Sequence, residues 1–346
     1  MHLQNSLHRK GIISVGTWLV DTVKMIDSYP ARGNLATIRQ IDAGLGGCAH
    51  NVLADLSALQ SGLPLYAGGC VGDDSDGKRI LREIADRGID TQNMHVLPGE
   101  TTSYTDVMGE IGGQASRTFF HYRGANARLS PSHVSSVAVP AKIFHLGYLL
   151  LLDELDKCDP EYGTVAARVL HDLQRRGYAT SVDVVSEEGD RFRQVIGPCL
   201  PYVDYFIVNE IEAGACSGRA LRKKDGSPDL EEIAHAAQCL MECGIRQTCV
   251  IHFPEGGYRL NRDGTAHYEP SLHLDSAQIR STVGAGDAFC AGMLYALHEE
   301  LPLRESLLIA NVSARFNLRS TTSTGGAPTL REIRNFIRQN YQNVSL

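Results

Sequence analysis

Short apolar runs alternate along the chain with longer stretches in which apolar residues recur every three or four positions. GIISVG (11–16), LYAGGCVG (65–72), KIFHLG (142–147), ATSVDVV (179–185), VDYFIVN (203–209) and QTCVIHF (247–253) have the length and composition of strands. HNVLADLSALQ (50–60), SDGKRILREIADRG (75–88), TVAARVLHDLQRRG (164–177) and LEEIAHAAQCLMECG (230–244) carry the period of amphipathic helices. Further helices are expected near 287–299, 303–318 and 329–341. Apolar runs without alternation belong to strands covered on both faces. The expected fold class is therefore α/β, a three-layer α/β/α arrangement around a central, mostly parallel sheet. Such sheets bind ligands at the carboxyl ends of their strands.

Two stretches break the pattern. SYTDVMGEIGGQASRTFFHY (103–122) reads as a β-hairpin around Gly112-Gly113, and 22–44 alternates at period two in places. They are expected to form a small antiparallel sheet over the strand ends, a lid, a dimerisation flap or both. The expected organisation is one domain over 1–346 with lid segments at about 22–44 and 101–124.

The chain has 33 basic and 40 acidic residues, a formal charge of −7, and no basic stripe, which argues against a nucleic-acid partner. Arg222-Lys223-Lys224 reads as a solvated loop. No apolar run approaches a membrane span, and the first residues lack a signal-peptide core, so a cytoplasmic location is expected. The nine cysteines are odd in number and scattered, which suits reduced thiols. His235, Cys239 and Cys243 fall at helical spacing. A metal site there lacks an evident fourth ligand, and cysteines on the core face of the helix are the favoured reading.

GDDSDGKR (72–79) nearly spells a phosphate loop. Arg79, however, replaces the hydroxyl that would meet Mg²⁺, and Asp73, Asp74 and Asp76 would repel a triphosphate. A turn opening the next helix is expected instead. More informative is STVGAGDAFCAGML (281–294), a glycine turn that runs into an apolar helix. Such a turn aims backbone N–H groups and the positive end of a helix dipole at one point, where an anion can sit. Asp287 there can cap the helix or serve as a base beside the anion.

Asp21 after the first strand, GGCAHN (46–51) opening a helix, NEIE (209–212) at a strand end, the turn at 284–287 and GAPTLREI (326–333) occur in this order. In that order they resemble the ribokinase-like, or PfkB, carbohydrate kinases over nearly the whole chain. The resemblance implies ATP-dependent phosphorylation of a hydroxyl of a sugar or sugar derivative, with Mg²⁺. Asp287 would be the general base, and Gly284, Ala285 and Gly286 would present amides to the transferring phosphoryl group. Asp21, Gly46, Gly47 and Asn51 would hold the acceptor. Asn209 and Glu212 would organise Mg²⁺ and phosphates, while Gly257 and Asn311 would border the nucleotide. Asp183 matches a position on the nucleotide side. Arg123 would contact an acidic group on the substrate or pair with a surface carboxylate. A homodimer joined through the lid is also implied.

Plainer roles stand beside these: a helix cap for Asn51, first-turn charge for Glu212 and a strand-end polar residue for Asp183. The sequence departs from the family pattern at Ser281-Thr282, where Asp-Thr is usual, which leaves a monovalent cation open. It departs again at His252 and Pro254, and at Cys48 and His50, which either line the pocket or pack. A nucleoside kinase and a non-catalytic binding protein of the same family are the other readings.

Overall fold

The computed structural model describes residues 9–111, 117–186, 191–342 and 344. The first half of the chain runs β1 (Ile12–Gly16), β2 (Leu19–Ile26), β3 (Ile38–Gly46), α1 (Cys48–Ala58), β4 (Leu65–Gly72), α2 (Ser75–Asp86), β5 (Asp90–Leu97), β6 (Ser103–Glu110), β7 (Arg117–Tyr122), α3 (Pro131–Ser135), β8 (Ile143–Leu149), β9 (Cys158–Asp159), β10 (Gly163–Thr164) and α4 (Val165–Arg175). It continues β11 (Ala179–Val184), β12 (Tyr205–Asn209), α5 (Glu210–Ser217), α6 (Leu230–Glu242), β13 (Thr248–Phe253), β14 (Gly256–Asn261), β15 (Ala266–Pro270), α7 (Ala285–His298), α8 (Leu303–Asn317) and α9 (Leu330–Asn340).

Nine strands form one sheet in the order β15-β14-β13-β12-β11-β8-β1-β4-β5. Pairing is parallel from β5 to β13 and antiparallel for β14 and β15. Alternate residues of each central strand enter different cores. Ile13, Val15, Phe144 and Leu146 pack on one face, with α4 and α6. Ile12, Ile143 and Ile207 pack on the other, with α1, α7 and α8. This double burial is why the central strands read as unbroken apolar runs. The three-layer α/β/α expectation holds.

The edges were harder to read. β5 (DTQNMHVL) is polar and half-covered, and β14 and β15 carry Gly, Arg, Asn and Pro, so no apolar run marks them. Pro254 and Glu255 turn the β13–β14 hairpin, where the family pattern suggested a Thr-x-Gly turn. The phosphate-loop look-alike is a turn. Asp74 caps α2 by accepting from Gly77 N at 2.8 Å. On α6 the buried face is Ile233, Ala236, Ala237, Leu240 and Met241; Cys239 is only partly covered and Cys243 is exposed. The core-cysteine reading of that helix is thus corrected. The loop at Arg222-Lys223-Lys224 is solvated as expected, with Lys223 and Lys224 exposed and Arg222 paired with Glu210 and Glu255.

A separate four-stranded sheet, ordered β3-β2-β6-β7, stands where the lid segments were expected, but it is mixed rather than antiparallel: β2 and β6, joined through α1, β4, α2 and β5, pair in parallel, and only the β2–β3 and β6–β7 hairpins are antiparallel. Gly112-Gly113, the expected hairpin tip, lies outside the described residues. The sheet is fastened at its roots. Trp18, fully buried between β1 and β2, has its backbone N–H and C=O bonded by the Asn126 amide, both at 3.1 Å. Its indole N–H donates to Gly68 O at 2.8 Å. Asp74 accepts from Thr102 N–H (2.7 Å) and O–H (2.6 Å) just before β6. The pleat puts Asp21, Thr105 and His121 on one face, through the pairs Asp21–Thr105 and Thr105–His121. Among the described residues, no helix is long and apolar enough to cross a membrane.

Candidate active site

Gly284 is the N-cap of α7. Its φ of 79° is a left-handed conformation, and a Cβ there would strike Ser323 O, so glycine is required. The first intrahelical bond of α7 runs from Ala288 N to Gly284 O (2.9 Å), which leaves the Gly286 and Asp287 amides ahead of the helical ladder. Of the three amides expected to face the phosphoryl group, Ala285 N closes the turn on Thr282 O at 3.3 Å.

Asp287 does not cap its helix. Its carboxylate accepts from Asn51 Nδ2 at 2.8 Å and from Tyr148 Oη at 2.7 Å. Burial pushes its pKa up to about 6, against the lowering effect of those two bonds. A carboxylate that is buried, oriented and poised near neutrality has the properties of a general base.

Asn51 is likewise no cap. Gly47 occupies that position, and Asn51 N donates to Gly47 O at 2.9 Å. Its Oδ1 lies 2.9 Å from His50 Nδ1 and 3.1 Å from Ser323 Oγ, which fixes which way the amide points. Burial holds His50 near a pKa of 4, so the ring is neutral and packs edge-on against Trp18. His50 therefore supports the site from behind. Cys48 lies deeper, beside His145 and Asp183.

Asp21 reaches the same space from β2. Burial raises its pKa to about 6, a bond from Thr105 opposes the rise, and the charge of Asp287 adds to it. A side chain at Gly46 would collide with the Asp21 carboxylate, and one at Gly47 with Thr17 O. The two glycines thus keep open the gap between lid root and helix.

On the other flank, Asn209 caps α5 through bonds from Ile211 N and Glu212 N, both 2.9 Å. Glu212 returns the bond, accepting from Asn209 N at 3.0 Å, and also accepts from Ser186 Oγ at 2.7 Å. It is a capping-box residue as well as a site acid, 4% exposed, with its pKa raised to about 7 by burial. Asp183 stands between Glu212 and Asp287, raised by burial and then by their charges. Among the groups acting most strongly on these four acids there is no Lys or Arg.

The other expected residues have these contacts in the fold. Arg123 donates to Asp153 (2.8 Å) and to Leu150 O (3.1 Å), so the surface-pair role is the one observed. A Cβ at Gly257 would press on Phe289 and Leu307, which places that glycine in a packing role. Asn311 Nδ2 donates to Glu269 O at 3.0 Å, tying α8 to β15. His252 stacks on Phe289 at 4.7 Å beside Gly286. Ser281 accepts from Val283 N at 3.1 Å, bracing the glycine turn. Tyr148, Thr105, Ser186 and Ser323 were not foreseen. Each is a lone hydroxyl in unremarkable sequence, and only the fold brings it to the site.

A three-layer α/β fold with a buried carboxylate at the start of a helix and a small second sheet is the architecture of the ribokinase-like class. Residues 9–330 match the pfkB family carbohydrate kinases, and the chain belongs to that family. It is 24% identical over 309 residues to a ribokinase of Arabidopsis thaliana, covering 89% of this chain and 76% of that one. Its fold matches the structure of Arabidopsis thaliana ribokinase complexed with ribose and ATP, with a TM-score of 0.77 and 19% identity over 95% of this chain and 99% of that one. A Burkholderia thailandensis nucleoside kinase in complex with inosine matches with a TM-score of 0.73 and 17% identity, covering 96% and 99%. The chain is thus an enzyme that phosphorylates an alcohol group.

Proposed function

We propose that this chain transfers the γ-phosphoryl group of ATP to a hydroxyl of an uncharged sugar or sugar derivative, with Asp287 as general base. The observation that carries this is the Asp287 carboxylate, freed from capping and aimed by Asn51 and Tyr148. Asp287 takes the hydroxyl proton as the oxygen attacks phosphorus in line. The Gly286 and Asp287 amides then meet the charge on the transferring group, a contribution worth about 10²–10³ in rate per well-placed donor. Asp21 and Asn51 orient the acceptor from two sides. An uncharged acceptor follows from the electrostatics, since buried acids surround the site and Arg123 is held by Asp153.

Asn209, Glu212 and Ser186 fit a hydrated Mg²⁺: they are oxygen-rich, and the buried Glu212 has no basic partner among its strongest influences. When bound, the ion would neutralise charge across the phosphates. The lid leaves Tyr104, Phe120 and Tyr122 exposed, which supports a homodimer that covers them. A nucleoside acceptor is the second reading, favoured by Phe119 and His121 on the same lid face as Asp21. The test is ATP consumption with Mg²⁺ across neutral sugars, sugar acids, sugar phosphates and nucleosides. Turnover with a neutral sugar is expected. Turnover confined to nucleosides selects the second reading, and turnover confined to acidic sugars overturns the uncharged acceptor.

A further inference from the structure

Behind the first turn of α1, against the site acid Asp183, lie Cys48, His145 and Cys290, side chains that phosphoryl transfer does not require. Cys48 Sγ is 3.3 Å from His145 Nε2 and 3.6 Å from Asp183 Oδ2. The three come from α1, β8 and β11, and one ligand atom of each lies within 4.8 Å of the others. Cys290 Sγ, from α7, stands 4.0 Å from the same His145 nitrogen. Tetrahedral Zn²⁺ has bonds of about 2.3 Å to sulfur and about 2.0–2.1 Å to nitrogen and oxygen, so its ligand atoms stand about 3.4–3.6 Å apart. The Cys48 distances already fall near that edge, whereas Cys290, though 4.0 Å from the His145 nitrogen, stands outside the mutually close set of three.

We propose that Cys48, His145 and Asp183 form a three-ligand site for one divalent cation of the zinc type, with Cys290 beside it. Thiolate and imidazole ligands select such a metal over Mg²⁺ or Ca²⁺. His145 is oriented for the task, because its Nδ1 lies 3.1 Å from Ser181 Oγ and its Nε2 therefore faces the cluster. Binding releases the Cys48 thiol proton and the proton that burial holds on the Asp183 carboxyl. The thiolate and the carboxylate then balance the two charges of the ion, with His145 neutral. No net charge is thereby added to a fully buried volume. Without an ion, burial holds the Cys48 and Cys290 thiols well above their ordinary range and His145 down at about 3, all uncharged. Asp183, 8% exposed, is the least enclosed of the four and opens toward the active site. A bound ion would pin the first turn of α1 to the sheet three residues before Asn51.

The direct test is Co²⁺ titration of the chelator-stripped full chain, followed by absorption. One equivalent giving thiolate-to-cobalt charge transfer and tetrahedral d–d bands is expected. Those bands should be lost in Cys48→Ser and in His145→Gln, and kept in the Cys239→Ser/Cys243→Ser double variant of the α6 surface. Ser181→Ala should weaken affinity about 10–100-fold, the range for loss of a ligand's orienting partner. Zn²⁺ should raise the melting temperature of the parent chain and not of either site variant, with circular dichroism verifying that each variant is folded. If Cys48→Ser does not fold, His145→Gln carries the test. Absence of one-equivalent binding, or the same spectrum in folded Cys48→Ser or His145→Gln, overturns the site.

Discussion

In the floor of the site, Asn51, Asp183, Glu212 and Asp287 are each between 4% and 8% exposed, and each side chain has a hydrogen-bond partner. In the sheet above it, Tyr104, Phe119, Phe120 and Tyr122 are 40–58% exposed. The floor is rich in buried acid: the charges of Glu212 and Asp287 raise Asp183, Asp287 raises Glu212, and among the described residues no Lys or Arg is among the groups acting most strongly on them. The lid has its ladder bonds made and its apolar surface uncovered. The two regions therefore suit different partners: the acidic floor suits a cation, and the exposed lid rings suit an apolar surface. Catalytic power should depend on the first region, and association on the second.

Perturbing the floor should have the largest effect. Asp287→Asn is expected to lower kcat by about 10²–10⁴, the usual worth of a positioned base. ATP affinity measured by calorimetry should be unchanged. An equal loss in affinity would mean that Asp287 organises the nucleotide rather than the proton. The lid comes next. Replacing Phe120 and Tyr122 by Ser removes apolar contact worth about 1.5–3 kcal/mol per ring if both are buried between copies. Dimer dissociation should then strengthen at least about tenfold by analytical ultracentrifugation, since 1.4 kcal/mol is a factor of ten. A parent chain that sediments as a monomer would remove the lid's proposed role.

The charge imbalance also has a sign in stability. Burial raises Asp21 and Asp287 from 3.8 to about 6 and Glu212 from 4.5 to about 7. The folded chain therefore holds more protons than the unfolded chain in that window, and these groups make stability fall as pH rises through it. The ligand-free enzyme should melt higher near pH 5 than near pH 7, and Asp21→Asn should shrink the difference. Smallest of all, Arg123→Gln removes a half-exposed pair with Asp153 and should alter kcat/KM by no more than about fivefold, since such pairs are worth about 0.2–1 kcal/mol. A far larger loss confined to acidic substrates would restore Arg123 to acceptor binding.

The sequence exposed whatever is periodic or glycine-marked. Buried strands such as IISVG must be apolar throughout, and the turn at 284–287 can be built only with a glycine at Gly284. These constraints write themselves into local sequence. The half-covered edge strands and the hydroxyls of Tyr148 and Ser323 do not, because their partners come from distant segments. Ser323, for instance, reaches Asn51 across 272 positions. The Cys48–His145–Asp183 cluster was hidden for the same reason, since its spacing follows no metal-binding repeat. Asp287 shows the intermediate case: the motif located it, and only the fold decided between cap and free carboxylate.

The most direct measurement is the pH dependence of kcat/KM in the parent enzyme and in Tyr148→Phe. That ratio reports ionisation in the free enzyme. If Asp287 is the base, activity should fall on the acid side with a midpoint near its pKa of about 6. Removing the Tyr148 hydroxyl, which favours the carboxylate, should move that midpoint upward. An acid limb well below that value, or one that stays in place in Tyr148→Phe, would contradict the assignment of Asp287 as the base.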